Sequence, residues 1–154
     1  MRIRFAALAL AAGATVAVPS PAVASAAPDA PTPLTNHTVS DLTGFTSPSG
    51  NIGCYIDSAS VRCDIRDRDW APPAKPADCL EMVDFGQGLI LNATGSARFV
   101  CAGDTALAGG QPLAYGDSIS AGSFQCGSTA AGITCRDFRY RSGFSLSREG
   151  YELF

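Results

Sequence analysis

The sequence of 154 residues is poor in the side chains that most enzymes use for proton transfer and metal binding. It has a single histidine, His37, and a single lysine, Lys75. His37 lies in an Ala- and Pro-rich stretch ahead of the expected fold, so a Ser-His-Asp or Cys-His centre is not expected in the folded domain. No Cys-x-x-Cys pair occurs among the six cysteines, so they lack the spacing of a zinc site. We therefore expect no metal and no cofactor.

A second absence is an apolar run long enough to span a bilayer. Arg2 and Arg4 precede an uncharged run over residues 5–18, and small residues follow. This arrangement is typical of an export signal, and its apolar part is shorter than the roughly 20 residues of a membrane-spanning helix. We predict a signal peptide over 1–26, and we expect the mature chain to be secreted without a membrane span.

Positive charge is also scarce in the exported part of the chain. Without Arg2 and Arg4, 9 basic residues remain against 14 acidic ones, which gives a net charge of −5. Nucleic acids and anionic membrane surfaces are bound through an excess of Lys and Arg. We therefore expect neither of them as the main partner.

The residues after the signal peptide divide into a short segment and one domain. Residues 27–44 are rich in Pro and Ala and are predicted to form a mobile lead-in. The remaining residues, 45–154, are enough for one domain.

Short β-type runs dominate this domain. Branched and aromatic residues occur in runs separated by Gly, Ser, Asp and Pro: "CYI", "VRCDI", "LIL", "ARFVC", "SFQC" and "GITCRDF". The best helical candidate is one or two turns over residues 77–85. We predict a mainly β fold, a small single domain of antiparallel hairpins with little helix, held together by three disulfides.

The six cysteines, all in the exported part, indicate disulfides because their number is even and the compartment is oxidising. If Cys54 faces Cys63 in an antiparallel hairpin, every apolar residue of the hairpin falls on one face. These residues are Ile52, Ile56, Val61 and Ile65. The predicted bridges are Cys54–Cys63, Cys126–Cys135 and, by elimination, Cys79–Cys101.

The pattern of the first hairpin occurs twice. The pattern consists of small-Gly-x-apolar-x-Cys, a spacer of six residues, and apolar-x-Cys. The first copy ends at Cys63 and the second at Cys135. Either a duplication or convergence on the same hairpin explains the repeat. In the second copy Phe124 faces Asp137, and we expect a bulge that brings Phe138 into this position instead.

Carboxylates are the remaining option for catalysis. The segment "DIRDRDW" contains Asp64, Asp67 and Asp69 alternating with arginines, and a paired-carboxylate hydrolase or a weak calcium site could use them. Alternating charge more often marks a solvated segment that pairs with itself. Asp104, three residues after Cys101, is the preferred carboxylate if the chain is an enzyme, although Gly-Asp-Thr also suits a turn capped by the aspartate.

Four side chains are candidates for binding a partner. Trp70, in the segment "WAPPAKP", could stack on a sugar, although such a residue more often closes one end of a small core. Arg139 and Arg141 are expected on one face of a strand, with two aromatic residues on the other face. They could form a strip that binds anions or glycans. Tyr55 is expected on the outer face of the first hairpin.

An ordered set of motifs covers nearly all of residues 45–154. It comprises "FTSPSGNIGC", "VRCDI", "WAPPAKP", "FVCAGDT", "LAYGDS", the second pair of cysteines and "GFSLSREGYELF". This set resembles a family of uncharacterised exported six-cysteine proteins of actinobacteria, including mycobacteria, with the signature F-x-S-P-S-G-N-I-x-C. The resemblance implies export, cysteine pairing and one compact domain, and it implies no activity.

The sequence therefore predicts a secreted or cell-envelope module that binds or has a structural role, and whose partner is an unidentified envelope glycan, lipid or exported protein. Two alternatives remain open. One is a small envelope hydrolase that uses carboxylates, and the other is a secreted inhibitor that presents a disulfide-held loop to an enzyme.

Overall fold

The structure, a computed structural model, describes residues 34–154 and contains two six-stranded β-sheets in this range. No helix is present among these residues, and hence none that could cross a membrane. The signal peptide predicted over 1–26 lies outside the described residues. The strands are β1 (Asn36–Thr38), β2 (Thr43–Thr46), β3 (Ile52–Ile56), β4 (Ser60–Ile65), β5 (Phe85–Asn92), β6 (Ala97–Cys101), β7 (Gln111–Pro112), β8 (Ser118–Ala121), β9 (Phe124–Thr129), β10 (Gly132–Asp137), β11 (Ser142–Leu146) and β12 (Tyr151–Leu153).

The two sheets have the same internal order. One runs β1-β8-β9-β10-β11-β12, and the other, read from its shortest strand, runs β7-β2-β3-β4-β5-β6. All neighbouring strands are antiparallel except the pairs β1–β8 and β2–β7, which are parallel. The prediction of a mainly β fold is confirmed, and the two short parallel pairs are an addition to the expected hairpins.

Each sheet receives its short parallel strand from the other half of the chain. β1 precedes β2 in sequence but pairs with β8, and β7 precedes β8 but pairs with β2. The next hydrogen bonds are equivalent as well. Val39 N–H donates to Ser120 O at 2.9 Å, and Leu113 N–H donates to Thr46 O at 2.9 Å. This correspondence extends the repeat beyond the two hairpins to both halves of the domain, which supports duplication.

The core lies between the two sheets and is centred on two disulfides. Cys54–Cys63 and Cys126–Cys135 are fully buried, and Cys63 Sγ lies 3.9 Å from Cys135 Sγ. Apolar side chains from both sheets surround the sulfurs: Ile52, Ile56, Val61, Leu89, Leu91, Phe124, Ile133, Phe144 and Leu146. The third bridge, Cys79–Cys101, joins the long loop before β5 to the end of β6, so three disulfides are present, as expected.

The register of the first hairpin is the one that its cysteines predict. Ile52 faces Ile65 and Cys54 faces Cys63, and the apolar residues between them point into the core. The chain enters β3 through a turn in which Gly50 N–H donates to Ser47 O at 2.8 Å. Local sequence therefore determines this part of the fold.

The prediction of a bulge in the second hairpin is wrong. Asp137 stays opposite Phe124 and is buried, and its Oδ1 accepts the backbone N–H of Arg139 at 2.8 Å. The aspartate thereby ends the strand in a turn of its own, as Asp often does. Phe138 is consequently turned outward and is 64% exposed.

Two other expectations differ from the structure. Strand β1 and the start of β2 lie within the predicted lead-in of 27–44, of which 27–33 lie outside the described residues. The helical turns expected over 77–85 are absent. Only isolated turns occur there, with Cys79 N–H donating to Pro76 O and Val83 N–H donating to Leu80 O, both at 3.1 Å.

Replacement of Gly88 by alanine is expected to destabilise the domain by about 1–3 kcal/mol, the range of overpacking in a core. A Cβ atom at Gly88 would overlap the carbonyl oxygen of Cys63 and the carboxylate of Asp64. Gly127→Ala is the matched control, since Gly127 also lies in a strand and a Cβ there meets nothing within 4 Å. Urea unfolding of both variants tests this. Equal losses in the two would contradict the close approach at Gly88.

Candidate functional site

A groove of about 600 Å³ lies beside β6, the terminal strand of its sheet. One side is formed by six consecutive residues, 97–102, that is, all of β6 and the residue after it. The loop before β5 contributes Pro73, Ala74, Pro76, Asp78 and Cys79. We call this feature the β6 groove.

The floor of the β6 groove is a row of side chains across three strands. Arg62 of β4 pairs with Ile90 of β5, and Ile90 pairs with Arg98 of β6. The neighbouring residues of these strands point into the core, so the row lies on the outer face of the sheet. The floor therefore has an apolar centre with a guanidinium on either side.

The loop that lines the groove is held at several points. The Cys79–Cys101 disulfide fixes it to the end of β6. Lys75 Nζ donates to the carbonyl oxygens of Glu81 at 3.0 Å and Val83 at 2.5 Å, which closes the loop on itself. Gly86 has a φ of 80°, and a Cβ there would overlap the ring of Pro72, so the loop packs directly on β5. This side of the groove is thus preformed.

An aromatic cluster lies at one end of the groove. The rings of Phe85 and Phe99, which line it, are 5.9 Å apart, and Tyr151 lies 4.8 Å from both Phe99 and Trp70. Trp70 is half-buried and its Nε1–H donates to Ser147 O at 2.9 Å. Its indole therefore joins the loop to the other sheet and supports this end of the groove without lining it.

Two of the four candidate carboxylates meet at one guanidinium. Arg62 Nε donates to Asp64 Oδ1 at 2.9 Å, and its Nη2 donates to Asp64 Oδ2 at 2.7 Å. Arg62 Nη1 donates to Asp104 Oδ1 at 2.6 Å. The backbone N–H of Ala106 also donates to Asp64 Oδ2, at 2.8 Å. The cluster ties the loop after β6 to β4.

The electrostatics of this cluster indicate a structural role. Burial acts to lower the pKa of the Arg62 guanidinium, but the hydrogen bonds and charges of Asp64 and Asp104 bring the pKa above its ordinary value. The hydrogen bond from Arg62 and its charge hold the pKa of the Asp104 carboxyl below its ordinary value. Asp64 is fully buried with hydrogen bonds to both oxygens. A carboxyl whose pKa is lowered, as that of Asp104 is, is poorly suited to act as a general acid.

The other two carboxylates of "DIRDRDW" point elsewhere. β4 ends at Ile65, and the chain turns after it. Asp67 is exposed and its backbone is held by the side chain of Asn51, while Asp69 Oδ2 lies 3.4 Å from Arg148 Nε. Within residues 34–154, no three His, Cys, Asp or Glu side chains are placed to hold a metal ion.

Of the remaining candidates, none lines the β6 groove. Arg139 and Arg141 lie in the exposed turn between β10 and β11, not on the strand that their spacing predicted. The two arginines lie off the strand because Asp137 begins a turn, so the strand ends before them. Tyr55 is half-buried, with its ring against the backbone of Gly44 and Gly109.

Sequence reasoning missed the residues that form the floor of the groove. Arg98 and Ile90 occur in "ARFVC" and "LIL", which indicate strands but not their place in a sheet. The one available signal was Cys101 at the end of "ARFVC", because its bridge to Cys79 brings a Pro-rich loop to that strand.

Comparison with known proteins gives one positive result. No curated protein and no solved structure matches the chain. A family of unknown function, DUF6636, matches residues 31–154, which include both sheets, the three disulfides and the β6 groove. The chain belongs to this family of unknown function, DUF6636.

Proposed function

We propose that the chain is an extracellular binding module and that its ligand occupies the β6 groove. The observation that carries the proposal is the floor of this groove, in which Arg98 is exposed beside apolar Ile90 and forms no ion pair among residues 34–154. A preformed, mostly apolar cleft with a few placed polar groups is typical of ligand sites, and 300–1,000 Å³ is roughly their usual volume.

The three disulfides support a site of action outside the cytoplasm. Disulfides persist in oxidising compartments and are rare where thiols are kept reduced. The basic and apolar N-terminal pattern of residues 1–26 predicts export. Secretion, at the cell envelope or beyond it, is therefore part of the proposal.

The ion-pair cluster favours binding over carboxylate hydrolysis. A pair of catalytic carboxyl groups needs one protonated and one free member that flank a substrate. Asp64 is instead saturated by Arg62 and Ala106, and Asp104 is paired with the same guanidinium. Asp67 and Asp69 lie outside the groove lining.

The lining of the groove defines the chemistry of the ligand. Arg98 is suited to an anionic group, while Ile90 and the aromatic end formed by Phe85 and Phe99 are suited to apolar groups. An envelope glycan, a lipid and an exported protein can each carry both kinds of group. These three are the ligand classes that we propose.

Replacement of Arg98 by alanine is expected to weaken ligand retention about tenfold, since a charge-assisted hydrogen bond contributes about 1.5–3 kcal/mol. The protein recovered from the culture medium is immobilised and exposed separately to envelope polysaccharide, to vesicles of envelope lipid and to secreted proteins. Arg139→Ala is the control, because Arg139 is an exposed arginine in the β10–β11 turn. Retention that falls with Arg139→Ala but not with Arg98→Ala would contradict the proposed site.

A further inference from the structure

We infer that the β6 groove takes an extended peptide segment of another exported protein, which adds a strand to the free edge of β6. This inference rests on the proposed function, in which the groove is the ligand site. It adds the class of ligand and the way in which the backbone of that ligand is recognised.

The edge of β6 is open along its whole length. β6 pairs with β5 on one side, and no strand among residues 34–154 pairs with the other side. It has five residues, whereas the other terminal strands, β1, β7 and β12, have three, two and three. An unpaired edge of this length presents a row of backbone donors and acceptors to an added strand.

The neighbouring loop leaves this edge free. Pro73 and Pro76, which line the groove, have no backbone N–H with which to pair. The Cys79–Cys101 bridge and the hydrogen bonds of Lys75 hold the loop in place, with a space of about 600 Å³ between it and β6. Six lining residues at about 3.3 Å each correspond to a groove of about 20 Å, which suits a strand of five or six residues.

The two sides of the groove predict the side chains of the added strand. Alternate side chains of a strand point to opposite faces of its sheet. On the outer face they would meet Arg98, and at the aromatic end they would meet Phe85, Phe99 and the partly exposed Leu153. The matching peptide carries an acidic residue opposite Arg98 and apolar residues toward the aromatic end.

Other ligand classes make less use of these features. Glycans and lipids could contact Arg98 and the apolar lining, but they lack the regular row of N–H and C=O groups that the free edge of β6 would pair with. A peptide uses the edge, the guanidinium and the aromatic end together. The peptide is therefore the ligand that this groove fits best, and binding of a glycan or a lipid instead is an outcome of the test.

The test measures the affinity of the full chain for six-residue synthetic peptides by titration calorimetry. A peptide of alternating Glu and Val is compared with one of alternating Lys and Val. Two further Glu-Val peptides carry N-methyl groups on alternate residues, one peptide on the odd-numbered residues and the other on the even-numbered residues. We expect the Lys-Val peptide to bind at least tenfold more weakly. One N-methylated peptide should lose binding and the other should retain it, because only alternate N–H groups of an added strand face β6. Arg98→Glu should reverse the preference between Glu-Val and Lys-Val.

Three results would overturn strand addition: no binding of the Glu-Val peptide, equal binding of both N-methylated peptides, or no change of charge preference with Arg98→Glu. If Arg98→Ala still reduces retention of a glycan or lipid fraction, the groove remains the ligand site and only the peptide inference fails. If Arg98→Ala changes the retention of no fraction, the proposed function itself fails.

Discussion

Replacing Arg62 with methionine is expected to lower the free energy of unfolding by about 3–5 kcal/mol, the usual cost of removing one partner of a buried ion pair. The change would leave the carboxylate of Asp64 fully buried with the Ala106 N–H as its remaining hydrogen-bond donor. It would also release the loop that Asp104 ties to β4. Urea unfolding, followed by circular dichroism, gives the loss.

Two further variants separate the buried charge from other effects. Arg98→Met removes an exposed arginine from the same cross-strand row, and it should change stability by about 0.5 kcal/mol or less. Adding Asp64→Asn to Arg62→Met removes the unpaired charge and should recover part of the loss. Equal losses for Arg62→Met and Arg98→Met, or no recovery in the double variant, would show that the pair does not stabilise the fold as its geometry indicates.

Mild reduction of the native protein is expected to open Cys79–Cys101 and leave the other two disulfides intact. Cys101 is exposed, whereas the four cysteines of Cys54–Cys63 and Cys126–Cys135 are fully buried between the sheets. Reduction of these two disulfides requires unfolding of the domain. With a free energy of unfolding of about 5 kcal/mol or more, this requirement slows their reduction at least about a thousandfold. Alkylation after a short exposure to dithiothreitol should therefore label two cysteines, as measured by mass spectrometry.

The matched control lacks the exposed bridge. A variant with Cys79→Ala and Cys101→Ala should take up no label under native conditions and four labels in denaturant. Labelling of all six cysteines at one rate in the unchanged protein would mean that the central disulfides are accessible, contrary to their position in the core. Loss of Glu-Val peptide binding after selective reduction would further support the role of the loop in the β6 groove.

The parts of the fold that short sequence stretches determine could be predicted. Cys54 and Cys63 are nine positions apart, and the alternation around them places every apolar side chain on the face of the cysteines, which fixes the register. The runs of branched residues could also be predicted as strands, because each run is a local pattern. The turn after Asp137 was missed because its cause is one hydrogen bond from the Arg139 backbone, which competes with the strand pattern.

The candidate site could not be predicted, because contacts between distant residues create it. Arg62 and Asp104 are 42 residues apart, and their pairing depends on where the loop after β6 returns to the sheet. The free edge of β6 exists only because this strand is the last in its sheet. No local pattern distinguishes "ARFVC" at an edge from the same residues in the middle of a sheet. The exchange of β1 and β7 between the sheets has the same nonlocal origin.

Hydrogen–deuterium exchange of the β6 amides distinguishes binding in the β6 groove from binding elsewhere on the domain. The full chain is compared with and without the peptide of alternating Glu and Val, with the Lys-Val peptide as control. Binding in the β6 groove predicts that exchange slows at alternate amides of residues 97–102, which face the open edge, and is unchanged in the β10–β11 turn that holds Arg139 and Arg141. Protection that is absent from β6, or that appears in that turn instead, would contradict the β6 groove as the binding site.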